Sequence, residues 1–168
     1  MGTNEDLARI VLQEQELTFA AFDFDAAWDL GSNLRAVAVT RQLPIVIDIR
    51  RFGAQPLFYV ALTGSTPDNP EWVRRKSNVV ARFHKSSYRV AMELKVKRSN
   101  LLERYALSVA DFAEAGGSFP IHVRGAGVIG SVTVSGLPQR KDHETVVEAL
   151  CLHLGKDYNA LKLGEEMA

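Results

Sequence analysis

The chain has 168 residues, 46% apolar and 24% charged, and its 20 Lys and Arg balance 20 Asp and Glu. That is the composition of one globular domain large enough for a real core, and a formally neutral chain lacks the positive field that nucleic-acid binding needs. No apolar run approaches a bilayer span, MGTNEDLARI is too polar and acidic for a signal peptide, and the single Cys151 permits neither an internal disulfide nor a cysteine metal cluster, so a reduced, cytoplasmic protein with no nucleic-acid or membrane partner is expected.

Residues Asn4 to Glu16 predict a short amphipathic helix with Leu7, Ile10 and Val11 on one side. A second helix is predicted from about Asp25 to Arg41, where Ala27, Leu30, Leu34 and Val37 recur at helical spacing, and Leu43-Pro44 stops it. The run PIVIDIRR alternates as a strand, with Ile45, Ile47 and Ile49 on one face and Val46, Asp48 and Arg50 on the other. Phe52-Gly53-Ala54-Gln55 then turns the chain into a second strand, PLFYVAL, which closes a hairpin.

After the loop from Gly64 to Pro70, Asn69 and Pro70 read as the N-cap and first residue of a helix that runs to about Lys85. A further helical segment is predicted from Tyr88 to Tyr105, with Ser86-Ser87 ending one helix and capping the next. A loop from Asp111 to Gly117 leads into a second hairpin. Its strands, FPIHV and GVIGSVTVS, alternate with period two and are joined by Arg124-Gly125-Ala126. Ser135-Gly136-Leu137-Pro138 ends the sheet, and the last helix runs from Pro138 to about Leu154. The order helix, helix, hairpin, helix, helix, hairpin, helix predicts one α+β domain over residues 1–168, with helices packed on an antiparallel sheet. There is no GxGxxG at a strand-to-helix junction and no Walker loop.

Seven residues break the bland pattern, and all but Gly130 are candidates for a ligand site. Lys76 falls near the centre of the apolar stripe formed by Trp72, Val73, Val79, Val80 and Phe83. A buried ammonium needs a partner. Lys76 therefore snorkels, pairs with a carboxylate such as Asp48, or binds an anionic ligand at the floor of a pocket. His143 projects into the stripe of Val146, Val147, Leu150, Cys151 and Leu154. The positive helix start disfavours its imidazolium. It is either a core histidine bonded to a carbonyl or to the Ser135 hydroxyl, or a neutral ligand for heme iron. His84 sits at the edge of its own stripe, beside Ser86-Ser87, but no Gly-x-Ser-x-Gly elbow accompanies it. Arg50, beside Asp48 at a strand end, either pairs with that aspartate or clamps a ligand carboxylate. Ser135 and Gly136 turn the chain at the sheet's end. Gly130, inside a strand, leaves room for a helix or a ligand edge. The four histidines lie at no metal-ligand spacing, so no metal site is expected, and no residue is assigned a catalytic role.

The segment GGSFPIHV…GVIGSVTVSGLPQRKDHETVVEAL, Gly116 to Leu150, resembles the C-terminal half of the GlcG/HbpS-like family, often labelled heme-degrading or heme-binding. The chain resembles, over nearly its whole length, the branch of that family carried as uncharacterised proteins. The matching residues there are VIDIRRFG, PLFY, TPDN, WVRRKSNVV and RFHKSSY. The resemblance implies a profilin-like antiparallel sheet flanked by helices and a ring-like or multi-subunit homo-oligomer, with heme as a candidate ligand. Together with Lys76 and His143 it favours a homo-oligomeric protein that binds an anionic small molecule. Two alternatives stay open: an enzyme acting on a small organic acid or a tetrapyrrole, with His84 or His143 as acid or base, and a non-catalytic interaction module.

Overall fold

The structure, a computed structural model, describes residues 2–53 and 55–165. In chain order the elements are α1 (Thr3–Glu16), α2 (Phe24–Thr40), β1 (Val46–Arg51), β2 (Gln55–Ala61), α3 (Asp68–Phe83), α4 (Ser87–Val96), α5 (Leu101–Tyr105), β3 (Ser118–Val123), β4 (Gly127–Ser135), α6 (Gln139–Leu154) and α7 (Tyr158–Leu161). The strands form one sheet in the order β2-β1-β4-β3, and every neighbouring pair is antiparallel. This is the profilin-like α+β architecture expected from the two hairpins. Ala54, part of the expected first turn, lies outside the described residues.

The hairpins join through β1 and β4, which run in register from Val46 opposite Ser135 to Arg51 opposite Gly130. This pairing gives the sheet two different faces. On one, Ile47, Ile49, Val132, Val134 and Phe119 pack with Leu30 and Leu34 of α2 and Val146, Val147 and Leu150 of α6. On the other, Asp48 lies across from Thr133, and Ser118 also pairs with Thr133. Those residues, Ser131 and Ser135 are all buried. Helix α3 covers this polar face, with Val79 packing on to Val90 and Leu94 of α4 and Leu101 of α5. Period two thus separates an apolar face from a hydroxyl-rich one, and both are closed off from water.

Three local expectations change. The segment from Tyr88 to Tyr105 is two helices, because Arg98 takes a positive φ of 48° and Asn100 then caps α5 by accepting from the Glu103 N–H. Helix α3 begins two residues earlier than expected, behind Pro67. Asn69 is therefore inside its first turn, and its Oδ1 reaches back to accept from the Thr66 N–H at 2.7 Å. At Gly130 the close neighbour is the Arg50 carbonyl of β1, not a helix or a ligand: a Cβ there would collide with that oxygen. Helix α7 carried no sequence signal strong enough to predict it. No described helix is long and apolar enough to cross a membrane.

Candidate functional site

Helix α3 turns Val73, Lys76, Ser77, Val79 and Val80 inward. Lys76 therefore crosses the polar face of the sheet, and its Nζ donates to Asp142 Oδ2 at 2.8 Å and to the Val134 carbonyl at 3.2 Å. Asp142 belongs to the first turn of α6. Its Oδ1 accepts from the Leu137 N–H at 2.9 Å, and the Gly136 N–H also donates to the carboxylate. Burial pulls the Lys76 ammonium below its ordinary pKa and pushes the Asp142 carboxyl above its own, while their mutual attraction opposes both shifts. The ion pair is thus with Asp142 and not with Asp48. Asp48 is engaged by Arg50, whose Nε and Nη2 donate to its two oxygens at 2.6 and 2.8 Å.

The loop before β3 makes room for this pair. Gly117 has φ of 130°, and its carbonyl accepts from the Val134 N–H at 2.8 Å. A Cβ there would lie 2.7 Å from Lys76 Nζ and 3.0 Å from Asp142 Cβ. The conformation and the space both demand glycine. The Gly116-Gly117-Ser118 loop and the Ser135-Gly136 turn are therefore neighbours at one end of the sheet.

Above the pair lies a cleft of about 290 Å³, lined by Asn69 and Trp72 of α3, Ser135 and Gly136 from the end of β4, Gln139 of α6, and Lys76 at its floor. Helices α3 and α6 both start at its rim, behind Pro67 and Pro138, and neither has a side-chain cap on its first N–H groups. By contrast α2, α4 and α5 are capped by Asp23, Ser86 and Asn100. Proline has no side-chain acceptor, so the positive ends of two sixteen-residue helices meet at one rim; at α3 the Asn69 N–H is taken by the Thr66 carbonyl and Pro70 has no N–H, and at α6 the Pro138 carbonyl accepts from the Lys141 and Asp142 N–H groups. Trp72 forms a fixed wall: its Nε1 donates to Asp68 Oδ2 at 2.9 Å, and the Arg75 guanidinium lies 4.7 Å from its ring centroid. The arrangement suits a small anion with a flat or apolar group beside it.

The structure brings three of the six candidates, Lys76, Ser135 and Gly136, into this cleft. His143 follows Asp142 in sequence but turns into the core. Its Nε2 lies 2.8 Å from Gln13 Oε1, which replaces the expected Ser135 or carbonyl partner. The Gln13 amide nitrogen donates to the Leu161 carbonyl and to Glu144, so Gln13 Oε1 accepts and His143 carries its proton on Nε2. Its Nδ1 is buried without a partner, and burial pushes the imidazole down to about 3. His84 closes the far end of α3 with φ of 53°. Its exposed ring is stacked on Phe52 at 5.7 Å, about 12 Å of helix rise from Lys76. Arg50 lies on β1, outside the cleft's lining. Sequence reasoning missed Trp72, Gln139 and Asp142 as site residues. An acidic residue in the first turn of the last helix was the available signal for Asp142. Among the described residues, no three His, Cys, Asp or Glu side chains are grouped so as to hold a metal ion.

The family model described as haem degrading protein HbpS-like matches residues 22–151. A UPF0303 protein of Acidobacterium capsulatum is 58% identical over 163 residues, which is 97% of this chain and 98% of that one. The crystal structure of Ybr137w protein superposes with a TM-score of 0.84 at 25% identity, over 92% of each chain. The structure of a PduOC:heme complex superposes with a TM-score of 0.66 at 15% identity, over 78% of this chain and 94% of that one.

Proposed function

This chain belongs to the HbpS-like haem degrading family, and we propose that it is a homo-oligomeric protein that binds a small anionic molecule in the cleft between the starts of α3 and α6. The observation that carries this reading is the pair of uncapped helix N-termini above a buried lysine. Asp142 neutralises Lys76, so the attraction for an anion comes chiefly from the two helix dipoles and from the backbone at the start of α6. Backbone N–H groups at a helix start are a general means of holding carboxylate or phosphate. Asn69, Ser135 and Gln139 add side-chain donors, and Trp72 adds a surface for the rest of the ligand. Calorimetric titration with inorganic phosphate and with small carboxylates tests the reading. Saturable binding that disappears in Gln139→Glu, which puts a negative charge at the start of α6, supports it. No binding by any of these anions counts against it.

Heme is a second ligand to test, because a structural neighbour is a heme complex. The two candidate histidines differ in their fit to it. His143 is buried, with Nε2 engaged by Gln13 and its ring packed 5.0 Å from that of Tyr88, so iron cannot reach it without opening the core. His84 is exposed, with a flat aromatic neighbour in Phe52. It is the residue that would hold heme iron, and bound heme would bring a redox-active metal there. A hemin titration followed in the Soret region checks this, with His84→Ala and His143→Ala in parallel. Loss of a saturable shift in His84→Ala alone supports heme at His84. Equal weak shifts in all three proteins remove heme from the account.

A further inference from the structure

Among the described residues Lys76 is the only buried lysine, yet its side chain lines an open cleft. A lysine that only ties two helices together needs no opening beside it. Its Nζ meets two acceptors, Asp142 Oδ2 at 2.8 Å and the Val134 carbonyl at 3.2 Å, although an ammonium carries three protons. Gly117 keeps the nitrogen clear of a further side chain, since a Cβ there would stand 2.7 Å from it.

Asp142 is held as an oriented base. Its Oδ1 is occupied by the Leu137 N–H at 2.9 Å, and its Oδ2 is the oxygen turned to the lysine. Moving one proton across that contact gives a neutral amine beside a neutral carboxyl. Burial favours this neutral pair from both sides, because it lowers Lys76 and raises Asp142. A desolvated amine with a proton acceptor in contact is the form in which lysine attacks a carbonyl carbon.

The cleft offers a carboxylate its own donors. Gln139 Oε1 accepts from the Gly116 N–H at 3.2 Å, and Asn69 Oδ1 accepts from the Thr66 N–H at 2.7 Å. Both amide oxygens are thus engaged by backbone, and the amide nitrogens are the ends left to the cleft. Asn69 Nδ2 lies 3.5 Å from Ser135 Oγ, at the edge of hydrogen-bond range. An amine at the floor and amide donors on the walls match a molecule whose carbonyl adjoins its carboxylate. A volume of about 290 Å³ keeps that molecule small.

We propose that Lys76 is a nucleophile that forms a Schiff base with a small 2-oxo acid, and that Asp142 carries the protons. The proposal names the ligand class of the cleft and rests on the anion-binding reading above. Nζ first gives a proton to Asp142 Oδ2. Its lone pair then attacks the carbonyl carbon, a C–N bond forms, and the carbonyl oxygen takes the proton from Asp142. The nitrogen returns a proton to Asp142, which passes it to the hydroxyl. The C–O bond breaks, water leaves, and the nitrogen lone pair closes the C=N bond. The product is a protonated imine paired with the Asp142 carboxylate. One water is released and nothing is oxidised or reduced.

Reductive trapping on the full chain tests this, with pyruvate and cyanoborohydride as reagents and proteolytic mass mapping as the readout. One reduced adduct per chain is expected at Lys76, formed about tenfold faster than at the exposed Lys95 and Lys97. Burial alone would protect Lys76, so exposure cannot produce this order. Excess lactate, which has the carboxylate but no carbonyl, should slow the labelling. The double variant Lys76→Met with Asp142→Asn, checked for its fold by circular dichroism, should lose the adduct and leave labelling of the surface lysines unchanged. Labelling confined to surface lysines, with pyruvate and lactate still bound in calorimetry, overturns the Schiff base and leaves the anion site standing. No adduct at Lys76 and no binding of pyruvate, lactate or phosphate overturns both.

Discussion

Lys76 Nζ lies 2.8 Å from Asp142 Oδ2, and neither side chain is more than 4% exposed. This contact ties α3 to α6 across the end of β4 and forms the floor of the cleft between their starts. Lys76→Met leaves Asp142 as a buried carboxylate with only backbone donors, and about 3 kcal/mol of stability should be lost. Adding Asp142→Asn removes the stranded charge and keeps an acceptor for the Leu137 N–H, so most of that loss should return. Urea unfolding of the single and double variants checks this. A cost below about 1 kcal/mol for Lys76→Met would mean that the pair contributes little to the fold.

The buried His143 gives the protein an acid-sensitive stability. Its folded-state pKa, about 3, is depressed below the ordinary value of 6.5. Above pH 6.5 the ring is neutral whether folded or unfolded. Below that, the unfolded chain takes up a proton that the folded chain refuses, so stability falls as pH drops towards about 3. Between pH 7 and pH 5 this residue alone should cost about 2 kcal/mol. His143→Gln should lack that increment. Denaturation midpoints of the two proteins that stay parallel across this range would contradict the assignment.

Gly117→Ala should destabilise by about 2 kcal/mol or more, because a Cβ at φ of 130° is strained and would also press on Lys76 Nζ and the Val134 carbonyl. Gly53→Ala is the matching control. It too has positive φ, at 92°, but nothing lies within 4 Å of its Cβ position. The difference between the two variants isolates the packing cost at the ion pair. Equal losses in both would assign the whole effect to backbone strain.

Much of this fold was legible because its signals are local and periodic. The alternation of Ile45, Ile47 and Ile49, and of the residues in GVIGSVTVS, marked both hairpins, and tight turns implied an antiparallel sheet. Two features needed the tertiary fold. The pairing of β1 with β4 joins the hairpins, and period two does not name a strand's neighbour. The partner of Lys76 is 66 residues away, and the nearer Asp48 was a plausible partner until Arg50 was seen to hold it. The buried lysine itself was visible from its place on an apolar stripe. The cleft was not, because it is made by two helix starts far apart in the chain, of which Pro138 looked like an ordinary helix signal and Pro67 like part of a loop. The break at Arg98 was hidden for a similar reason: a non-glycine residue in the left-handed region leaves little trace in the pattern.

The cleft can be read directly through Trp72, one of only two tryptophans in the chain. In Trp28→Phe, Trp72 is the sole indole, fixed against Asp68 at the cleft wall. Its fluorescence should change saturably on titration with phosphate or a small carboxylate. The change should vanish when Asn69→Asp or Gln139→Glu is added to a protein that still folds. A flat titration across these anions, or the same response in the variants, would contradict an anion site between the starts of α3 and α6.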